Sequence, residues 1–363
     1  MSIFKHLPVL GWNGFFENQI EENTPLVPAR VIGQEKSSYK IQLSDQITKQ
    51  AVVLGKFRHE VAEKSEFPAV GDWVLIAPNL TSDTSIIHKV LDRKSCLSRK
   101  VAGNEMEEQV IASNVDYVFI ATSLNSDLNI NRIERYLKLV WDSKAIPVIV
   151  LTKSDLCTDL EERLREIEKI SIGVDKVVTS CMNDEGLEEI KKYFLPHNTN
   201  VIVGSSGVGK STLVNSLFGE IKVKTQGIRD DDDKGKHTTT SRYLFLMPFG
   251  GMMIDTPGMR ELQLWGNDEG LEKQFEDIED LKLQCKFTNC NHNAEPGCAI
   301  QAGLTTGTLD SDHWNSYLKM KKELEFIQAK LDKGLQSERK SKWKKIHKTA
   351  KEHVKNKKSG KNF

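Results

Sequence analysis

The segment 201–219, VIVGSSGVGKSTLVNSLFG, constrains the fold of this chain more than any other part of it. An apolar run precedes a glycine-rich loop of the form G-x-x-x-x-G-K-S, and a helical pattern follows the loop. A strand, a loop and a helix in that order form a phosphate-binding loop, in which consecutive backbone N–H groups point at phosphate oxygens. The sequence therefore predicts an α/β domain that binds a nucleotide.

Each residue type in this loop has a physical role. The glycines let the backbone curl, Lys210 brings a positive charge to the phosphates, and the Ser211 hydroxyl is a ligand for Mg²⁺. The predicted nucleotide contacts of the loop are Gly204, Ser205, Ser206, Gly207, Val208, Gly209, Lys210, Ser211 and Thr212. The alternative is a Gly/Ser turn that only opens a helix, and the strand before the loop argues against it.

Two further stretches downstream have the spacing of GTPase switch regions. The segment MMIDTPG has D-x-x-G spacing, so Asp255 is predicted to hold Mg²⁺ through water and the Gly258 N–H to contact the γ-phosphate. Without a nucleotide, Asp-Thr-Pro-Gly after a strand is an ordinary turn. Between the two motifs lies GKHTTTSR, where Thr238, Thr239 or Thr240 offers a hydroxyl to Mg²⁺. We place Thr239 in the predicted site, although three threonines are also typical of an edge strand.

Base selection is predicted upstream of the phosphate-binding loop. The segment TKSD resembles the N-K-x-D motif of GTP-binding proteins: Asp155 would accept hydrogen bonds from guanine, and Lys153 would pack on the base after Thr152. A second strand ends at VVTSC, which places Ser180 in the position of a base-contacting loop. An ordinary helix N-cap is the alternative for Lys-Ser-Asp alone. If both loops bind the base, they lie beside the phosphate-binding loop at the carboxyl edge of one sheet.

The resulting order is base, base, phosphate, switch I and switch II, which is a rotation of the usual GTPase order and indicates a circular permutation. Permutation preserves packed contacts when the new chain break falls in an exposed loop. As a consequence, the segment after Gly258 leads directly into the C-terminal part of the chain.

The regions on either side of this domain have different patterns. Short β-rich runs separated by turn residues, such as SYKIQLS and VGDWVLIAP, predict a small N-terminal β-barrel. Gly250-Gly251 is predicted to join two strands as a hairpin. We divide the chain into a barrel (1–95), the GTPase domain (96–264), a mostly helical zinc-binding domain (265–335) and a basic tail (336–363).

The cysteines indicate a metal site. Cys285, Cys290, His292 and Cys298 have the spacing C-x4-C-x-H-x5-C, which offers three thiolates and one imidazole for a tetrahedral structural Zn²⁺. Clustering of this kind in a reducing compartment favours metal over disulfides. Separate buried thiols in a helical domain are the alternative.

The charges cancel globally but not locally. The chain has 51 basic and 51 acidic residues, so no overall field attracts nucleic acid, yet its C-terminal tail is rich in lysine. The barrel residues Lys56, Arg58 and Trp73 and this tail are the two candidate RNA-binding regions. No apolar run is long enough to span a membrane, and no secretory signal is recognisable, so we expect a cytoplasmic protein without a membrane partner.

These motifs together resemble the ribosome small subunit-dependent GTPase A (RsgA) family of circularly permuted GTPases. The resemblance covers nearly the whole chain, through TKSD, GSSGVGKST, GKHTTT, DTPG and CKFTNCNHNAEPGC. It implies an OB-fold, a central GTPase domain and a zinc-binding domain. It further implies hydrolysis of GTP to GDP during late maturation of the 30S subunit, stimulated by that subunit and its 16S rRNA. We expect a monomer.

The catalytic residue is the weakest part of the pattern. Met259 follows the D-T-P-G turn where many GTPases have the glutamine that orients water, so a slow intrinsic rate is expected. The family resemblance makes His237 the candidate for orienting water, and the alternative is a loop histidine with no role. A non-enzymatic rRNA-binding module that holds GTP as a structural ligand is the alternative function. The run Asp230 to Asp233 is expected to face solvent, because it would repel phosphate.

Overall fold

A computed structural model gives the fold of most of the chain. It describes residues 7–35, 38–44, 47–55, 63–78, 83–101, 107–125, 128–219, 242–256, 264–265, 268–293 and 295–331. A five-stranded barrel comes first, a mostly parallel sheet with helices follows, and a group of helices carrying the Cys/His cluster completes the described chain.

The N-terminal barrel is closed. Its strands are β1 Val27–Gln34, β2 Tyr39–Gln42, β3 Thr48–Val53, β4 Trp73–Ile76 and β5 Thr84–Val90. They pair in the order β1-β2-β3-β5-β4, and β4 pairs back with β1. Side chains such as Val31, Ile41 and Ile87 alternate into a core inside the barrel. The predicted barrel is confirmed.

The prediction that Trp73 faces RNA is wrong. Trp73 is fully buried, and its ring makes an edge contact with Trp12 at a centroid distance of 4.7 Å. Trp12 and Phe16 belong to an N-terminal segment with a 3-10 turn (Leu7–Leu10) and helix α1 (Gly14–Glu17), which covers the outer face of β4. Lys56 and Arg58 lie outside the described residues.

The central region is an α/β sheet. Its elements are the hairpin β6 Cys96–Lys100 and β7 Glu108–Ser113, then β8 Tyr117–Ser123, α2 Ile130–Asp142, β9 Ile146–Thr152, α3 Leu160–Ile170, β10 Asp175–Val178, α4 Leu187–Lys191, β11 Thr199–Val203, α5 Lys210–Phe218, β12 Arg242–Leu246 and β13 Met252–Asp255. Strands β10-β9-β8-β11-β13 are parallel in that order, and β12 is antiparallel to β13. The hairpin predicted at Gly250-Gly251 is confirmed. The carboxyl ends of the parallel strands share one edge of the sheet.

Helix α2 covers one face of this sheet. Asn129 caps its N-terminus by accepting a hydrogen bond from the Arg132 N–H at 2.9 Å. Ile133, Leu137 and Val140 recur at helical spacing and are fully or almost fully buried. The opposite side of α2 faces the C-terminal helices.

The C-terminal region is helical. Its helices are α6 Glu269–Gln274, α7 Glu276–Leu283, α8 Ala299–Thr306 and α9 over 311–331. The guanidinium of Arg135 on α2 forms two hydrogen bonds to Glu323 on α9, at 2.9 and 2.7 Å. No helix in the described part of the chain is both long enough and apolar enough to cross a bilayer. The predicted domain boundaries stay predictions, and the basic tail lies outside the described residues.

An ionic group around the buried side chain of His313 joins α2 to the C-terminal helices. His313 lies between two carboxylates: its Nδ1 is 2.5 Å from Glu134 on α2, and its Nε2 is 3.2 Å from Asp277 on α7. His313 is thus a core histidine that binds two carboxylates, and it lies outside the Cys/His cluster. Desolvation disfavours the imidazolium, but the hydrogen bonds to Asp277 and Glu134 outweigh it and raise the pKa of His313 to about 9.

This group predicts a pH-dependent stability. The pKa of His313 is higher in the folded chain than its ordinary value of 6.5, so its contribution is full below pH 6.5 and is lost as the pH rises through 9. We compare the free energies of unfolding of wild type and His313→Ala. The advantage of wild type over the variant should shrink by on the order of 3 kcal/mol as the pH rises over this range. Urea unfolding at several pH values measures it. A difference that is constant from pH 6 to 9.5 would contradict the ionic assignment.

Candidate nucleotide site and metal centre

The phosphate-binding loop connects β11 to α5 through three glycines with positive φ. Gly207 and Gly209 have φ of 84° and 95°, which L-residues rarely adopt. At Gly204 a Cβ atom would lie 2.2 Å from the carbonyl oxygen of Ala121 on the neighbouring strand β8. These positions therefore require glycine, and the loop has the compact shape that its sequence predicts.

Lys210, at the first position of α5, reaches back over the loop. Its Nζ donates to the carbonyls of Gly204 at 2.7 Å and Ser205 at 2.5 Å. Desolvation lowers the pKa of Lys210 to about 8, although the charge of Asp255 opposes this shift. Burial raises the pKa of Asp255, which the Thr256 N–H and Lys210 partly counteract. An oppositely charged pair thus lies next to the loop, where phosphates and Mg²⁺ would strengthen both charged forms.

The TKSD loop contacts the phosphate-binding loop directly. The hydroxyl of Thr152, at the end of β9, donates to the Val208 carbonyl at 2.6 Å. The Nζ of Lys153 donates to the Gly207 carbonyl at 2.8 Å, and Lys153 itself has a positive φ of 58°. The two motifs, which lie about fifty residues apart in the sequence, therefore form one site, as the permuted order predicts.

Asp155 and Ser180 lie side by side at this edge. The Asp155 side chain is exposed, whereas Ser180 is fully buried and donates from its Oγ to Asp155 Oδ1 at 2.6 Å. The Asn183 N–H donates to the same hydroxyl at 3.3 Å. The Ser180 hydroxyl therefore holds the carboxylate that would accept from a base, and the predicted contact of Ser180 itself with the base stays a prediction.

The other predicted contacts divide into two groups. Ser205, Ser206, Ser211 and Thr212 are at least partly exposed around the loop, while Val208 is buried beneath it. His237, Thr239 and Gly258, with the neighbouring Thr238 and Thr240, lie outside the described residues. The structure thus assembles the base and phosphate parts of the predicted site, and the roles of all these residues stay predictions.

Sequence reasoning missed a stripe of charges on α2. Glu134, Lys138 and Asp142 recur every four residues; Glu134 and Lys138 are fully buried, and Asp142 is partly buried beside the C-terminal helices. Lys138 pairs with Asp142 and donates to the Trp265 carbonyl at 3.4 Å, and Asp142 accepts from the Gly270 N–H at 2.8 Å. The available signal was the alternation of opposite charges at i,i+4 spacing along this helix. The stripe fixes the chain just after the D-x-x-G segment.

The four predicted metal ligands come together. The ligand atoms of Cys285, Cys290, His292 and Cys298 all lie within 4.8 Å of one another. Zn–S bonds of about 2.3 Å place tetrahedral sulfurs about 3.8 Å apart. The observed separations are 4.0 Å between the sulfurs of Cys285 and Cys298, and 3.5 and 3.7 Å from these sulfurs to His292 Nδ1. The residues present therefore fit a structural zinc ion.

Local contacts fix this metal-binding loop. The Glu295 carboxylate accepts from the N–H groups of Asn291 and Asn293, each at 3.0 Å. The Gln301 side chain donates to the His292 carbonyl at 2.7 Å. Desolvation raises the pKa of Cys285, but hydrogen bonds from backbone N–H groups at the start of α8 outweigh this effect and hold the pKa below its ordinary value. This favours the thiolate form that zinc requires.

Comparison with known proteins agrees with this geometry. The family model described as RsgA GTPase matches residues 90–265. Small ribosomal subunit biogenesis GTPase RsgA 1 of Oceanobacillus iheyensis is 46% identical, with 88% of this chain and 91% of that protein aligned. The chain belongs to the RsgA GTPase family. RsgA 2 of Lactiplantibacillus plantarum is 45% identical over 82% of this chain and 83% of that protein.

Two solved structures have the same architecture. The crystal structure of YjeQ from Thermotoga maritima has a TM-score of 0.60 and 28% identity, covering 82% of this chain and 98% of that one. YloQ, whose structure is described as a circularly permuted GTPase, has a TM-score of 0.58 at 22% identity, covering 84% and 97%, and shows the fold alone. The circular permutation inferred from the motif order is confirmed. As a member of the RsgA GTPase family, the chain is a GTP hydrolase.

Proposed function

We propose that this chain is a GTPase that binds the small ribosomal subunit and acts late in its maturation. The observation that carries the proposal is the direct contact between the base motif and the phosphate-binding loop, through Thr152 and Lys153. The contact gives one site able to select guanine with Asp155 and hold phosphates with the loop. The relatives named as small ribosomal subunit biogenesis GTPases support the biological role.

The reaction is hydrolysis of GTP to GDP and phosphate by water. In the proposed mechanism the loop N–H groups and Lys210 hold the β- and γ-phosphates, and Ser211 and Asp255 would hold Mg²⁺. Mg²⁺, when bound, neutralises charge that develops on the phosphate oxygens. His237 is proposed to orient the attacking water, the Thr239 hydroxyl to reach Mg²⁺, and the Gly258 N–H to contact the γ-phosphate.

The partners follow from the same reading. We propose that a monomer in the cytoplasm binds the 30S subunit through 16S rRNA in its GTP state and leaves after hydrolysis. The Lys-rich tail after residue 336 supplies charge for rRNA, so the affinity should fall steeply with salt. Zinc would have a structural role, because the three cysteines and His292 would supply four ligands and leave no open position for chemistry.

Phosphate release from GTP and from ATP, with and without purified 30S subunits, tests the proposal. We expect turnover that is selective for GTP and rises greatly with subunits. Tight GTP binding with no stimulated turnover would instead favour a binding module that holds GTP as a structural ligand. Equal use of ATP would contradict the role of Asp155.

Replacing Asp155 by asparagine should change the base preference. The carboxylate accepts two donors of guanine, whereas an amide can donate to the C2 carbonyl of xanthine. We expect Asp155→Asn to lower the affinity for GTP by about 10²-fold or more and to raise the affinity for XTP. Competition binding measures both. Asp159→Asn, a matched change at the start of α3 where Asp159 pairs with Arg163, should leave both affinities unchanged. GTP binding that survives Asp155→Asn would place base selection elsewhere.

A further inference from the structure

The barrel strand β1 belongs to two structures at once. Residues 27–30 pair with β4 inside the barrel, whereas Gly33 and Gln34 pair with β12 of the central sheet. The pairing of β1 with β2 has a bulge between Val31 and Gly33, which is where β1 changes its other partner from β4 to β12. A bulge of this kind bends the strand and changes its direction. Val31 packs in the barrel core, and Ile32 packs in the core of the central region. The barrel and the central sheet therefore share one continuous strand.

A row of directly opposed residues connects this shared strand to the predicted nucleotide site. Gly33 of β1 lies opposite Tyr243 of β12, and Tyr243 lies opposite Asp255 of β13. With strands about 4.8 Å apart, the row spans about 10 Å from the barrel to Asp255. The pairing of β13 with β11 runs from Met252 to Ile254, so among the described strand pairs Asp255 itself is paired with Tyr243 of β12.

The glycine at position 33 is needed for space. Its φ lies outside the left-handed region, so its backbone accepts any L-residue. A Cβ atom there would lie 2.9 and 3.0 Å from two ring carbons of Tyr243 and 3.2 Å from the Cβ of Lys40. The aromatic ring of Tyr243 thus lies directly against the bare backbone of β1, and a larger residue at 33 would displace it.

We propose that Gly33 and Tyr243 are positioning residues for Asp255. The ring of Tyr243 against Gly33 holds β12 between the barrel and β13, and this sets the carboxylate of Asp255 relative to Lys210. The inference rests on the proposed role of Asp255 with Mg²⁺. It makes the barrel part of the support of the nucleotide site.

The test is the gain in GTP affinity that Mg²⁺ provides, measured as the ratio of the dissociation constants in EDTA and in Mg²⁺. We expect Gly33→Val to reduce this gain about tenfold, as removal of outer support does at other metal sites. The affinity in EDTA should stay within about twofold, because the N–H groups of the phosphate-binding loop and Asp155 are unaffected. Gly33→Ala should give the same change to a smaller extent and guards against misfolding of the valine variant.

Two controls separate positioning from general damage to the barrel. Gly55→Val changes a barrel glycine whose added Cβ would meet nothing within 4 Å, so it should leave the Mg²⁺ gain unchanged. The double variant Gly33→Val/Tyr243→Ala should recover most of the gain, because the valine side chain then fills the space of the ring and replaces its contact between β1 and β12. Recovery would not follow from a merely unstable barrel.

The contrary outcomes are distinct. If Asp255→Asn abolishes the Mg²⁺ gain while Gly33→Val and Gly33→Ala keep it, the positioning inference is overturned and the role of Asp255 stands. If Asp255→Asn keeps the gain, the role of Asp255 in the proposed function fails, and the inference fails with it. A double variant no better than Gly33→Val alone would also overturn it.

Discussion

Lys210→Ala is expected to lower kcat/KM for GTP by about 10²–10³, the loss typical when one preorganised positive group is removed from a reacting phosphate or oxyanion. The Lys210 ammonium lies over the phosphate-binding loop, within hydrogen-bond distance of the Gly204 and Ser205 carbonyls. Burial leaves it poorly solvated, so a phosphate would find a cation with few competing water contacts.

A matched change separates this effect from general loss of charge. Lys192→Ala removes an exposed lysine just after α4. Lys192 is not part of the predicted nucleotide site, so kcat/KM should stay unchanged. Steady-state phosphate release measures both variants, and thermal unfolding checks that each is folded. A loss below fivefold for Lys210→Ala would show that the loop does not hold the reacting phosphates.

The parts of the site predictable from sequence are those set by local geometry. The loop from Gly204 to Lys210 follows a strand and opens a helix, so its glycines and its lysine are placed by their own neighbours in the chain. The contact of Thr152 with Val208 was also predictable, because carboxyl ends of parallel strands share one edge. The first inference needs only the neighbouring residues in the chain, and the second needs only the parallel arrangement of the strands.

The errors arose where distant segments decide burial. Trp73 looked like an exposed barrel aromatic, and only the contacts with Trp12 and Phe16 show that an N-terminal segment covers it. Likewise, the sequence around Gly33 carries no sign that its partner lies about two hundred residues away in β12. Cross-strand partners leave little local trace, since any strand edge of similar pattern could pair there. His237 and Thr239 lie outside the described residues, so their roles stay predictions.

Cys298→Ser is expected to reduce bound zinc from about one ion per chain to well below one and to destabilise the C-terminal helices. Cys298 is nearly fully buried, immediately precedes α8 and brings its sulfur to Cys285 and His292. Because binding of a structural zinc is coupled to folding, we expect a loss of about 3 kcal/mol or more in the stability of this region. Metal analysis and urea unfolding followed by tryptophan fluorescence measure both effects, since Trp314 lies beside His292.

Cysteines elsewhere in the chain provide the control for this prediction. Cys157→Ser and Cys181→Ser change thiols that lie outside the metal cluster and should keep one zinc per chain. A full equivalent of zinc in Cys298→Ser would mean that the cluster is not the metal site.

The destabilisation caused by Cys298→Ser should also reach the GTPase region, because α7 and α9 contact α2 through Asp277, His313 and Glu134. Exchange protection of α2 amides should therefore fall together with that of the zinc-binding helices, since the ionic group needs both sides in place.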